Sequence, residues 1–214
     1  NAVSLSCCPT FHISPVWIGI LLTVFFLPVV LKGIRGVLKV TEIILPLFGF
    51  CYLAAGLIII FLNLSRLPAI FQEIFRSAFS LEASTGGLLG CGIVAAFKQG
   101  MIKGVFSNEA GLGSAGLAHG SCRERRPEEQ GLWGAVEVFL DTVVISGITG
   151  LVILCAGAEN DGYNGLFAAF QKVFGSAGGL FISICILFFA VASVLSWSYY
   201  GESCAVFLFG ESPK

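Results

Sequence analysis

The feature that most constrains this chain is a set of long stretches without a charged side chain. One runs from Val173 to Gly201, and others run from His12 to Leu31 and from Ile43 to Ser65. A helix needs about 20 apolar residues to cross the hydrocarbon core of a bilayer, which is about 30 Å thick. Only 12% of the residues are charged, whereas about a quarter are charged in a soluble domain. The sequence therefore predicts an all-α membrane protein.

The composition also argues against several other classes of protein. The formal net charge of −1 does not provide the basic surface that nucleic-acid binding requires. There are eight cysteines but no CxxC motif and no histidine pair at helical spacing, so we expect no metal centre and no cofactor. We interpret the cysteines as small residues of membrane helices.

The uncharged stretches predict a single transmembrane domain of about five segments. One of these segments is interrupted by Glu137 and Asp141, and another is rich in glycine. The predicted spans are approximately 12–31, 43–65, 83–104 (broken), 133–158 and 178–209, joined by cytoplasmic connectors 32–41 and 105–131. The connectors are assigned to the cytoplasm because eight basic residues fall on their side of the membrane and three on the other.

Two segments outside the predicted spans carry apolar side chains at helical spacing. They are 67–79 and 166–174, and AIFQEIFRSA in the first is similar to AAFQKVFGSA in the second. An apolar stripe opposite polar residues is typical of an amphipathic helix. Each helix is suited either to lying on a membrane surface or to capping a vestibule.

Glycines interrupt the third predicted span. Gly86, Gly87, Gly90 and Gly92 weaken helix propensity by about 1 kcal/mol each relative to alanine. One interpretation is close helix packing through the Gly86-x-x-x-Gly90 seam. The other is a discontinuous helix whose bare N–H and C=O groups face a zwitterion or a carboxylate at the middle of the bilayer.

The segment that follows contains the sequence SNEAGLGSAG. Its residues 111–116 satisfy the GxGxxG pattern, but a nucleotide-binding reading requires a preceding strand, which membrane flanks do not supply. Ser114 does not fit a hydrolase elbow either, because position 112 is Leu. We interpret the segment as a structured connector in which Ser107, Asn108 and Glu109 act as caps or gate contacts.

Polar residues inside two later spans are also candidate functional groups. Acidic groups within a membrane segment are costly and usually face a polar interior. For Asp141 we weigh a structural hydrogen-bonding role, a gating role and, last, ion coordination. Ser193 offers an oxygen ligand to a small cation, although serine in membrane helices often bonds the carbonyl one turn back.

Three motifs together resemble the bacterial sodium:alanine/glycine symporter family, also called amino acid carrier proteins. They are KGVFSNEAGLGSAGLAH, the pair Asp141-Thr142, and WSYYGE from Trp197. The resemblance implies a leucine-transporter-like bundle of two inverted five-helix repeats, of which this chain supplies core helices four to eight. It also implies sodium-driven uptake of small neutral amino acids by alternating access across the bacterial inner membrane. Earlier helices of the same parent chain would complete the bundle.

The resemblance also assigns roles to particular residues. The substrate site would include Gly86, Gly87, Leu88, Gly90, Gly92 and Trp197, and the sodium site would include the Ala190 carbonyl and the Ser193 hydroxyl. A gating or structural motif would comprise Ser107, Asn108, Glu109, Gly111, Gly113, Ser114, Asp141 and Thr142. Two departures are that Ser193 stands where the family usually has Thr, and Leu88 where an aromatic residue is usual.

Two alternatives to transport follow from the residues themselves. One is a structural membrane protein whose glycines serve only helix packing. The other is a membrane enzyme using Glu109, Asp141 or Ser114, for which His119 is the candidate base. His119 lies five residues from Ser114, which is not a spacing that shares a helical face.

Overall fold

The structure is helical throughout the part of the chain that it describes. This computed structural model describes residues 14–30, 34–78, 90–122, 126–157 and 163–210, which contain helices and no strands. The all-α prediction is therefore confirmed. The helices are α1 (Pro15–Val30), α2 (Ile34–Leu62), α3 (Leu67–Ala78), α4 (Gly90–Asn108), α5 (Ser114–Gly120), α6 (Pro127–Phe139), α7 (Ser146–Ala156) and α8 (Tyr163–Phe209), with a 3-10 turn at Leu64–Arg66 and a π-helical segment at Leu140–Ile145.

Three of the described helical stretches are long and apolar enough to cross a membrane. They are Thr41–Leu62, Pro127–Ala156 and Asn164–Phe209, and Pro15–Val29 is a shorter apolar helix. The predicted broken span 83–104 corresponds to α4 from Gly90 onward, and residues 83–89 lie outside the described part of the chain. Many large apolar side chains on these helices are exposed, which soluble proteins avoid but membrane proteins require.

Two helices begin earlier than the charge pattern predicts. Helix α2 starts at Ile34, so most of the predicted connector 32–41 is a helical extension of the span. Helix α6 starts at Pro127 rather than Trp133, with Glu128 and Glu129 in its first turn. Proline at the first helical position needs no hydrogen-bond partner for its nitrogen, and acidic groups there stabilise the positive end of the helix dipole. The proline and the acidic first turn thus extend α6 beyond its apolar part.

The described chain divides into two compact units, of which the first combines parts of 1–59 and 156–214. In this unit α1 packs on α8, with Leu22, Phe26 and Val29 against the buried Val191 and Leu195. Helix α2 also contributes aromatic contacts: its Tyr52 ring lies 6.0 Å from that of Phe170, and its Phe48 ring stacks 4.2 Å from that of Phe188. Aromatic packing therefore holds α2 and α8 together within the unit.

A sharp bend divides α8 into an amphipathic part and a membrane-length part. The bend lies at Gly175, where φ is 64° and ψ is −150°, a backbone conformation that is essentially restricted to glycine. It brings the carbonyl of Phe170 against Gly178, where a Cβ atom would overlap it, while a Cβ on Gly179 would lie 2.8 Å from Cζ of Phe167. The small residues that follow the bend therefore allow the amphipathic part to pack closely on the span.

The second unit covers residues 60–155 and contains α3 to α6 and most of α7. Its buried apolar side chains include Ile60, Ile70 and Val152. Along α3 the remaining apolar face is open, with Phe71 46% and Phe75 63% exposed. Phe170 occupies the position in AAFQKVFGSA that Phe71 occupies in AIFQEIFRSA, and Phe170 is fully buried. The two similar amphipathic stripes therefore have different environments, each within its own unit.

Candidate functional site

The end of α4 and the loop after it place the first group of predicted site residues. Asn108 Oδ1 accepts a hydrogen bond from the Ala110 backbone nitrogen at 3.0 Å, which closes a turn around Glu109. Glu109 has φ of 56°, and Gly111 and Gly113 have φ of 78° and 87°. The backbone therefore reverses direction before α5, and the positive φ angles explain the two glycines of the motif.

Two side chains at the end of α4 reach the π-helical segment between α6 and α7. Ser107 Oγ donates a hydrogen bond to Asp141 Oδ2 at 2.7 Å. Asn108 Nδ2 donates to Thr142 Oγ1 at 3.0 Å. Two consecutive residues of one helix are thus paired with two consecutive residues of another. Four of the residues predicted to form a gating or structural motif therefore lie together.

The π-helical geometry of residues 140–145 gives Asp141 and Thr142 an unusual local backbone. Such segments are rare and are often found at functional sites. Ser146 Oγ donates to the carbonyl of Asp141 at 3.0 Å, which provides that carbonyl with a side-chain partner at the end of the segment. Asp141 is half-buried and its carboxylate faces Ser107.

The other motif residues do not join this pairing. Gly113 precedes the first residue of α5, and Ser114 begins the helix. Ser114 Oγ is buried without a hydrogen-bond partner among the described residues. Glu109 is half-buried in the loop. These residues lie in or beside the connector, and among the described residues no hydrogen bond joins them to the side chains of Asp141 or Thr142.

His119 is engaged elsewhere and is not aligned with Ser114. Its Nδ1 lies 2.6 Å from Gln130 Nε2, and its Nε2 lies 3.4 Å from Glu137 Oε2. In the neutral tautomer that fits these contacts, Nδ1 accepts from Gln130 and Nε2–H points to Glu137. The ring therefore joins the connector to α6, and both of its nitrogens already have partners.

The predicted sodium and pocket residues of α8 share a helical face. Ala190, Ser193 and Trp197 are separated by three and four residues. Ala190 lines an apolar cavity of about 380 Å³ between α1 and α8. Ser193 Oγ donates to the carbonyl of Phe189 at 3.1 Å, the intrahelical bond that serine often makes in membrane helices. Trp197 is 54% exposed, and its ring lies 5.9 Å from that of Tyr200.

The predicted substrate residues of the glycine segment are only partly described. Gly90 and Gly92 lie in the first turn of α4, whereas Gly86, Gly87 and Leu88 lie outside the described residues. The first turn of a helix has backbone N–H groups without partners inside the helix, which favours negative charge nearby. Within the described ranges, no group of three His, Cys, Asp or Glu side chains could hold a metal ion.

Two basic side chains have a role that sequence reasoning did not predict. Arg66 Nη1 donates to the carbonyl of Cys155 at 3.0 Å, and Lys172 Nζ donates to the carbonyl of Ala156 at 2.6 Å. Both carbonyls belong to the last turn of α7, where cations stabilise the negative end of the helix dipole. The amphipathic pattern around each cation gave no signal for these contacts, because the partners are distant in sequence.

Comparison with known proteins identifies related transporters. The family model described as the sodium:alanine symporter family matches residues 1–214. The "Sodium/alanine symporter AgcS" of Methanococcus maripaludis is 38% identical over 217 residues, covering 98% of this chain and 47% of that protein. The "Uncharacterized transporter YflA" of Bacillus subtilis is 37% identical, covering 98% of this chain and 46% of that protein.

A third relative has a different amino acid in its name. The "Probable sodium/glutamine symporter GlnT" of Bacillus subtilis is 33% identical over 212 residues, covering 97% of this chain and 44% of that protein. The chain therefore spans about half the length of the curated relatives it matches.

Proposed function

The chain belongs to the sodium:alanine symporter family, and on this premise we propose that its full-length protein imports a small neutral amino acid, such as alanine or glycine, together with sodium. The observation that carries this proposal is the family match over the whole chain, together with the 38% identity to a sodium/alanine symporter. Helices of membrane-spanning length agree with a multi-pass protein, which we place in the bacterial inner membrane.

We further propose that the chain forms core helices four to eight of a leucine-transporter-like inverted repeat, and that further helices of the parent protein complete it. Alternating access would then expose one central site to each side of the membrane in turn. The described part of α4 starts at Gly90, within the predicted span 83–104, and we propose that backbone N–H groups of its first turn face the substrate. Those groups suit the carboxylate of an amino acid.

The substrate site in this proposal includes the glycine segment and Trp197. The glycines let the backbone approach the substrate closely, and the indole of Trp197 is exposed and can form one wall of the pocket. Leu88 stands where the family usually has an aromatic residue. We therefore expect discrimination between alanine and glutamine to depend on position 88.

The sodium site in this proposal uses the carbonyl of Ala190 and the hydroxyl of Ser193. Sodium takes oxygen ligands, and both groups are provided by one face of α8. Ser193 uses its proton in the bond to Phe189, which leaves the hydroxyl oxygen lone pairs available for a cation. Sodium binding at this site would raise the affinity for substrate, and substrate would raise the affinity for sodium equally.

The direct test is uptake of labelled alanine by proteoliposomes that contain the full-length protein. An inward sodium gradient should drive accumulation above the equilibrium level, whereas an equal gradient of choline should not. Uptake that does not change when choline replaces sodium would contradict the coupling. Glutamine and glycine, added as competitors, would show whether the substrate is small or extends to longer neutral side chains.

A further inference from the structure

Two side-chain hydrogen bonds join the end of α4 to the π-helical segment. Ser107 Oγ–Asp141 Oδ2 is 2.7 Å and Asn108 Nδ2–Thr142 Oγ1 is 3.0 Å, and each pair is separated by 34 residues. We call these two bonds the interhelical clamp. The bond to Asp141 has a carboxylate acceptor, and hydrogen bonds to charged groups are shorter and stronger than neutral ones.

The clamp fixes orientation as well as distance. Consecutive residues on an α-helix point in directions about 100° apart, so two bonds from Ser107 and Asn108 resist rotation of α4 about its own axis. A single bond would leave that rotation free. The amide of Asn108 is itself held, because its Oδ1 accepts from the nitrogen of Ala110 at 3.0 Å. The Asn108 amide that donates to Thr142 is therefore oriented by a second hydrogen bond.

The two acceptor residues of the clamp, Asp141 and Thr142, also lie on a backbone of defined geometry. A π-helical segment contains one more residue per hydrogen-bonded turn than an α-helix, which changes the directions of the side chains that follow. Here the segment begins at Leu140, directly before the two clamp residues Asp141 and Thr142. Ser146 then bonds the Asp141 carbonyl. The carboxylate and hydroxyl of the clamp thus lie on a backbone whose geometry is locally fixed.

We infer that the clamp is a positioning element for transport: it fixes the rotation of α4, which begins at Gly90 in the glycine segment, relative to the helix that carries Asp141. In this role Asp141 acts as a hydrogen-bond acceptor and not as a sodium ligand. The inference rests on the proposed function, because it assigns the clamp to the substrate-bearing helix of the same transporter. Ser107, Asn108 and Thr142 are positioning residues in the same sense.

The first test compares conservative and disruptive variants by their uptake kinetics in proteoliposomes. Thr142→Ser keeps the hydroxyl and should keep the maximal rate within about twofold of wild type. Asp141→Asn keeps an acceptor oxygen but loses its charge, so its maximal rate should lie between those of wild type and Asp141→Ala. Thr142→Val and Asp141→Ala remove the acceptor and should lower that rate by about three- to tenfold, the equivalent of one lost hydrogen bond. The sodium concentration for half-maximal uptake should stay unchanged in all four variants.

The outcomes separate the clamp from an ion site. A large change in the sodium requirement of Asp141→Asn, with alanine uptake as low as in Asp141→Ala, would overturn the inference and identify the carboxylate as an ion ligand. Normal rates in Thr142→Val and Asp141→Ala would overturn it as well. Ser121→Ala is the matched control for Ser107→Ala, because the Ser121 hydroxyl donates to the nearby Ala118 carbonyl at 2.7 Å within the described part of the chain.

A second test does not depend on transport. Thermal unfolding of the purified full-length protein is measured for Ser107→Ala, Asp141→Ala and the double variant. If Ser107 and Asp141 stabilise the protein through their mutual hydrogen bond, the double variant should be no less stable than the less stable of the two single variants. If the losses of stability in the two single variants add up in the double variant, the pairing is overturned. If the wild-type protein shows no sodium-dependent uptake, the proposed function and the transport role fail together, and the unfolding cycle still decides whether the clamp exists.

Discussion

The close contact between Gly178 and the carbonyl of Phe170 allows a quantitative prediction. Alanine at position 178 would place a Cβ atom in overlap with that backbone oxygen. Overpacking a well-packed site costs up to about 3 kcal/mol, and the helix propensity of alanine over glycine returns about 1 kcal/mol. The expected net loss in the free energy of unfolding is therefore about 2 kcal/mol.

Two other glycines of α8 provide controls for the same substitution. At Gly179 the added Cβ would meet only the ring of Phe167, at 2.8 Å from Cζ, and a ring edge can move more easily than a backbone carbonyl. At Gly201 no atom lies within 4 Å of the added Cβ among the described residues. Gly179→Ala should therefore change stability little, and Gly201→Ala should raise it by about 1 kcal/mol through helix propensity alone.

The assay measures the unfolding temperature of the full-length protein in detergent. Unfolding is monitored by the loss of the monodisperse size-exclusion peak after heating. The factor is about 2–4 °C per kcal/mol for 150–250 residues and about half that for a protein twice as long, so Gly178→Ala should unfold about 2–4 °C below wild type and Gly201→Ala about 1–2 °C above it. The expected order of stability is Gly201→Ala, then wild type with Gly179→Ala, then Gly178→Ala. A Gly178→Ala protein as stable as Gly201→Ala would refute the steric reasoning.

Further predictions concern the sodium site, the open amphipathic helix and the α7 terminus. Ser193→Ala should raise the sodium concentration for half-maximal alanine uptake, while Ser193→Thr should leave it near wild type; an unaltered sodium titration of Ser193→Ala would remove the hydroxyl from the site. Phe75 is 63% exposed on an apolar face, so if α3 lies on the membrane surface, a nitroxide at position 75 should be relaxed by oxygen dissolved in the bilayer. Stronger relaxation by a water-soluble nickel chelate would instead favour a helix that caps a vestibule. Lys172→Met removes the cation from the Ala156 carbonyl and should lower the free energy of unfolding by about 1 kcal/mol, and no change in the unfolding temperature would contradict a stabilising role.

Hydrophobicity and periodicity predicted the larger elements of this fold well. Uncharged stretches coincide with helices long and apolar enough to cross a membrane. The repeat of apolar residues located both amphipathic segments, because burial depends directly on side-chain polarity. The stripe at 166–174 is helical up to the bend at Gly175. The pattern did not reveal that Phe170 is buried whereas Phe71 is open, since that difference depends on which helices lie nearby.

The sequence singles out the four residues of the interhelical clamp but does not show that they meet. The SNEAGLGS motif and the pair Asp141-Thr142 were identified separately, yet their pairing across 34 residues is a tertiary contact that local sequence does not encode. Asp141 accepts a hydrogen bond from Ser107 in the structure, and its role in transport stays a prediction. The π-helical segment had no sequence signal either, because one extra residue in a helical turn leaves local propensity unchanged.

The π-helical segment also alters how the surface of its helix should be mapped. One additional residue in a turn rotates everything after it by about 100° relative to a continuous α-helix. A helical wheel drawn through 127–156 in a single phase would therefore assign the wrong faces to residues after Ile145. Cysteine-scanning data on this helix should show two accessibility patterns with the same period and different phases, and the step between them should fall at residues 140–145.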